Sequence, residues 1–230
     1  MRALVRHNMT LHKHEPEITA ATLRILSQRS QHHGVEHAMR VVKISDRIVT
    51  QMPSDVMKFK PTVRICALAH DIGDGKFNDD TPKWLSLLQQ VPAGTLQFVI
   101  ELTKRVSLSR ELVHGRTDWV PTLGAGVAIR AIVSDADKLD SLGIAGYQRL
   151  QEYNREKLDS IIDSMQHSPD ISIGEYNSLL HDMIWLVITR RQRNLAAYMQ
   201  TRYGRDRAPE LFRELVGQHR AWVRSVNLHQ

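Results

Sequence analysis

The chain has 230 residues, 42% of them hydrophobic and 24% charged, a balance that supports a sizeable buried core and excludes both a disordered polyelectrolyte and a membrane-embedded protein. Its single cysteine, Cys66, rules out an intrachain disulfide framework and a cysteine-based zinc site, and suits a reducing, cytoplasmic setting. The net charge of +6 resides in residues 190–230, where nine Arg face three acids.

Apolar spacing is helical nearly throughout, Gly and Pro are sparse, and no repeat or linker interrupts the chain. The expectation is therefore an all-α protein. Residues 1–16 open it as a flexible lead-in: MRALVRHNMTLHKH is basic but lacks the apolar centre of a secretory signal. One all-α domain then covers 17–230, with helices at 17–30, 35–51, 61–72, 82–90, 94–105, 122–133, 135–163, 174–200 and 208–225.

Three of these helices place polar side chains on faces that should be dry. In 35–51, His37, Val41, Ile44 and Ile48 follow i, i+4, i+7, i+11, so His37 heads the core stripe. Alone, it reads more readily as a core histidine bonded to a backbone carbonyl. Val63 to Ala69 is apolar apart from Arg64 and closes on His70-Asp71, with Gly73 and Gly75 ending the helix. A carboxylate there is costly unless it is paired with the histidine or binds a metal. Further on, Val133, Asp137 and Ile144 share a stripe, which turns Asp137 inward, while Asp135 reads as a solvated capping residue. His181-Asp182 repeats the dipeptide without a glycine break or partner motif and is assigned a structural role. Two imidazoles and two carboxylates from three helices would make a nitrogen–oxygen cage for Mn, Fe, Co, Ni or Zn, and less exclusively Mg. Four protein ligands on a six-coordinate ion leave two positions for water and substrate.

The order His37, His70-Asp71, Asp137 resembles the H…HD…D signature of the HD-domain metal-dependent phosphohydrolases. The HxxRV at His37–Val41, the HDIGDGKF stretch from His70 and the DADKLDSLGIAGY stretch from Asp135 are similar to the group with HDI-x-D-x-K and DADRLDAIGAIG segments, some of them nucleotide pyrophosphohydrolases. The resemblance covers residues 30–150 well and the tail more loosely. It implies an HD helical bundle with His37, His70, Asp71 and Asp137 as metal ligands, Mn first among the candidate ions. It implies a catalytic role for Asp74, where relatives carry an acidic residue that activates or positions the attacking water; a turn aspartate is the alternative. Lys76 and His33 become phosphate contacts, with an exposed lysine and a second-metal ligand as their alternatives. Arg40 and Asp140 become braces for the ligands. One departure is Arg105–Arg110, where relatives carry a histidine in an RHSFS-like segment.

The function so implied is hydrolysis of a small phosphorylated substrate, foremost a nucleoside triphosphate to monophosphate and pyrophosphate. Phosphate release from a nucleoside monophosphate is the alternative, and a non-catalytic nucleotide- or nucleic-acid-binding protein a further one. The Arg-rich region could meet phosphate-rich partners, but its arginines are spread out with few aromatics between them, so a solvated helical face is the preferred reading. A homo-oligomer stays open.

Overall fold

The computed structural model describes residues 2–29, 33–73, 79–104, 106–108, 111, 112, 126–165 and 171–227. Among them the secondary structure is entirely helical. The helices are α1 (Arg2–Lys13), α2 (Glu15–Leu26), α3 (Val35–Val49), α4 (Ser54–Met57), α5 (Lys60–Ala69), α6 (Thr81–Leu87), α7 (Ala93–Thr103), α8 (Val127–Asp140), α9 (Gly143–Asp163), α10 (Ile173–Arg190), a 3₁₀ turn (Gln192–Tyr198) and α11 (Arg202–Asn227). No described helix is long and apolar enough to cross a membrane. The packing forms two compact units, Met1–Lys138 with Gln200–Gly204, and Leu139–Met199 with Arg205–Gln230.

In the first unit α5 is the central helix, with α1, α2, α3 and α7 packed around it. The sequence dictates this. Pro61 sits in the first turn, where its missing N–H costs nothing, and Val63, Ile65, Cys66, Ala67, Leu68 and Ala69 are all buried. Arg64, the one charged residue in that run, is exposed beside Glu15 and Asp46. Each large aliphatic side chain so buried stabilises by roughly 1.5–3 kcal/mol, which lets the end of the same helix carry a costly His-Asp pair. On α3 the buried face runs through His37, Ala38, Val41, Val42, Ser45, Ile48 and Val49.

In the second unit α9 packs against α10. The start of α10 is held by a capping box, Ser172 with Glu175. His219 of α11 stacks on His181 and Trp185, with Tyr147 beside it. His181 thus belongs to an aromatic cluster, as its structural assignment anticipated.

Several expectations need correction. Residues 2–13 form helix α1 rather than a flexible lead-in, because Leu4 and Leu11 bury against the core. The expected break near residue 134 is absent: α8 runs from 127 to 140 and the chain turns at Ser141-Leu142, before Gly143 at φ 68°. Ile144 therefore lies on the next helix, 49% exposed, and does not extend the Asp137 stripe. The run expected as one helix over 174–200 ends at Arg190 and continues as a 3₁₀ turn. The main-chain N–H groups of Gln200 and Thr201 are claimed by the Asp135 carboxylate instead. α11 begins at Arg202 rather than 208 and passes through Pro209.

Candidate metal centre

The first unit brings His37, His70, Asp71 and Asp137 together. α3 supplies His37 from the head of its buried face, and the imidazole is 1% exposed. α5 delivers His70 as its capping residue and Asp71 in the turn beyond. α8 supplies Asp137, which stays partly accessible.

The donor atoms are closely matched. His37 Nε2 lies 3.2 Å from His70 Nε2, 3.5 Å from Asp137 Oδ1 and 3.6 Å from Asp71 Oδ2. His70 Nε2 lies 3.4 Å from Asp71 Oδ1 and 3.6 Å from Asp137 Oδ1. Donors about 2.1 Å from one ion sit roughly 3.0–3.5 Å apart around a tetrahedron or octahedron, so the mutual spacing of His37, His70 and Asp137 fits a shared cation. His70 Nδ1 donates to Ala67 O at 2.8 Å, which directs the Nε2 lone pair into the cluster, the usual orientation of a ligating imidazole. Two imidazole nitrogens this close, both facing carboxylates, need a proton or a cation between them. These buried His and Asp groups could hold a metal ion.

The electrostatics make the same demand. Burial favours neutral His70, but the charges of Asp71 and Asp137 outweigh it and raise its pKa. Burial likewise opposes charge on Asp71, yet the His70 charge and the His33 hydrogen bond pull it down to about 2. Asp137, despite burial, is held well below the carboxylate range by His37 and His70. Both acids are thus ionised and require positive charge beside them, which a protonated His70 or a cation supplies.

His33, anticipated as a phosphate contact, has Nδ1 3.2 Å from Asp71 Oδ2. It joins His37 and Asp71 in a second His-His-Asp group. Asp74, Lys76 and the Arg105–Arg110 departure fall on or between residues outside those described, apart from Val106, Ser107 and Leu108. Asp140 pairs with Arg149.

The other faces of α8 explain how Asp137 is held. Asp135 is buried, not solvated: it accepts from Gln200 N at 2.9 Å, Thr201 N at 2.7 Å and Thr201 Oγ1 at 2.7 Å. Burial raises its pKa against those bonds. Lys138 Nζ lies 3.0 Å from Glu111 Oε1, with Gln200 Nε2 donating to the same oxygen at 2.8 Å and Ser134 Oγ 2.7 Å away. Sequence reading missed this network because its partners come from segments far apart in the chain. The cue was present in the cluster of polar residues Ser134, Asp135, Lys138 between Val133 and Leu139.

A cavity of about 260 Å³ adjoins His70 and Asp71 and is walled by Trp84, Val99, Ile100, Thr103 and Lys104. It provides a place for a ligand to meet the cluster.

No family model and no curated protein matches the sequence. Solved structures do. A structural-genomics target from Lactobacillus plantarum is 20% identical with a TM-score of 0.61, over 90% of this chain and 95% of that one. YpgQ of Bacillus subtilis, solved in complex with ADP, is 17% identical with a TM-score of 0.60, over 94% and 96%. The Lin1889 protein of Listeria innocua is 18% identical with a TM-score of 0.57, over 93% and 97%. Likeness at this identity shows the fold, an all-α bundle shared over nearly the whole length.

Proposed function

We propose that this protein is a metal-dependent phosphohydrolase of the HD type, acting on a nucleotide, foremost a nucleoside triphosphate cleaved to monophosphate and pyrophosphate. The observation that carries this reading is the convergence of His37, His70, Asp71 and Asp137, with His37 Nε2 3.2–3.6 Å from a donor atom of each of the other three. The ADP held by YpgQ, a protein of the same fold, supports a nucleotide as the substrate class. The mixed nitrogen–oxygen donors suit Mn, Fe, Co, Ni or Zn and less exclusively Mg, and the resemblance puts Mn first.

A bound divalent ion would supply Lewis acidity, lowering the pKa of water and drawing charge from a phosphoryl oxygen. The protein's own groups would do the rest. His37, His70, Asp71 and Asp137 would hold the ion, His70 fixed in its tautomer by Ala67 O. Asp74 would accept the proton of the attacking water. Lys76 would neutralise charge on the phosphate, and His33 would steady Asp71. Water attack on the α-phosphorus would form one P–O bond and break the bond from that phosphorus to the bridging oxygen, so that pyrophosphate leaves with the electron pair and the monophosphate keeps the water oxygen. The test is a nucleotide panel with Mn, Co, Ni and Mg that resolves phosphate from pyrophosphate release. Pyrophosphate from triphosphates is expected. Turnover of no nucleotide with any ion overturns the proposal, and phosphate from monophosphates alone corrects the reaction.

A further inference from the structure

Arg29, just beyond the end of α2, has a side chain 9% exposed and reaches across to the chain that leaves α5. Its Nη1 donates to the main-chain carbonyl of Asp71 at 2.8 Å. Nη2 and Nε donate to Asp80 Oδ2 at 2.6 and 3.2 Å, and Nη2 approaches Ile72 O at 3.5 Å. Independently, Asp80 N donates to Ile72 O at 3.1 Å. The main chain at 71–72 and at 80 is thereby drawn together, and one guanidinium spans both sides. Between these two points, sequence reasoning places Asp74 and Lys76.

We infer that Arg29 is a positioning residue for the metal centre, fixing the main chain of the ligand Asp71 and joining the two ends of the segment that follows it. This rests on reading the His/Asp cluster as a metal site. The physical case has three parts. The carbonyls after a helix end have lost their helical partners and need donors, and those of Asp71 and Ile72 belong to buried residues. A planar five-donor cation can serve a carbonyl and a carboxylate at once, whereas a lysine ammonium cannot match that fork. Asp71 is also the residue whose two carboxylate oxygens face different partners, Oδ1 toward His70 and Oδ2 toward His33 and His37. A small shift of its main chain would therefore disturb several donors together. Outer groups that orient ligands in this way are typically worth about 10–100-fold in metal affinity.

The experiment is calorimetric titration of MnCl₂ into the full chain, paired with thermal unfolding, for the wild type, Arg29→Lys, Arg29→Ala and Asp80→Asn. Arg29→Lys is expected to unfold cooperatively, as the wild type does, yet bind Mn at least about tenfold more weakly. Asp80→Asn shifts affinity the same way by less, since the bond to Asp71 O survives. Added guanidinium restores affinity to Arg29→Ala, which a general loss of stability would not allow. Should Arg29→Ala fail to fold, Arg29→Lys and Asp80→Asn decide. Mn affinities of the Arg29 variants within about twofold of wild type overturn the positioning role and leave the metal reading intact. Failure of the wild type to bind Mn, and Co, Ni or Zn titrated in its place, overturns both.

Discussion

His70 carries two duties on one ring: Nδ1 is spent on Ala67 O, and Nε2 faces two ionised carboxylates. Replacing it by Ala removes one of the nitrogen donors that face Asp71 and Asp137. His70→Ala is therefore expected to weaken Mn binding by about 100-fold or more and to lose turnover with it; calorimetry beside a nucleotide assay checks this. Asp74→Asn separates the two effects. A proton acceptor contributes about 10²–10⁴-fold in rate, so this variant should bind Mn nearly as the wild type does while kcat falls by that range. Undiminished kcat would return Asp74 to the role of a turn residue. Gly204 is a different kind of residue constraint. A Cβ there would come 2.5 Å from Asp135 Oδ2, the carboxylate that caps Gln200 and Thr201. Gly204→Ala should cost about 1–3 kcal/mol by overpacking, read from a denaturant melt.

At the level of elements, α3 and α5 were legible because their signals are local. A core stripe headed by His37 and an apolar run ending in His70-Asp71 need nothing from elsewhere in the chain. α8 was misread because Ser134-Asp135 looks like the start of a helix, whereas Asp135 spends its carboxylate on the main chain at 200–201. The same distant bonds hold the main chain at 200–201, as far as apolar spacing had carried that helix. α1 was missed because only Leu4 and Leu11 carry its burial, too few to mark a face in so basic a segment. The pins on α8 can be tested through its buried ion pair. Removing one partner of such a pair typically costs about 3–5 kcal/mol. Lys138→Met should approach that loss, because the Glu111 carboxylate stays buried without its cation. Adding Glu111→Leu should recover much of it; simple additivity of the two losses would show that the pair is not coupled.

For the whole molecule, the second unit offers a pH dependence separate from the metal centre. His219 lies 1% exposed among His181, Trp185, Trp222 and Tyr147. Burial, and then the neighbouring His181, lower its pKa to about 4, from 6.5. The unfolded chain therefore takes up a proton at this position before the folded chain does. Stability rises with pH wherever the unfolded state binds more protons, so between about 6.5 and about 4 each step toward acid favours unfolding. Above 6.5 both states are neutral at this residue and the contribution is flat. Thermal unfolding followed from pH 7.5 to 4.5 in the presence of EDTA, which keeps metal linkage out of the comparison, should show Tm falling through that window. His219→Phe keeps an aromatic ring in the stack and removes the titrating group. Its Tm should fall less steeply over the same range, and an equal slope in both proteins would mean that His219 protonates as readily folded as unfolded.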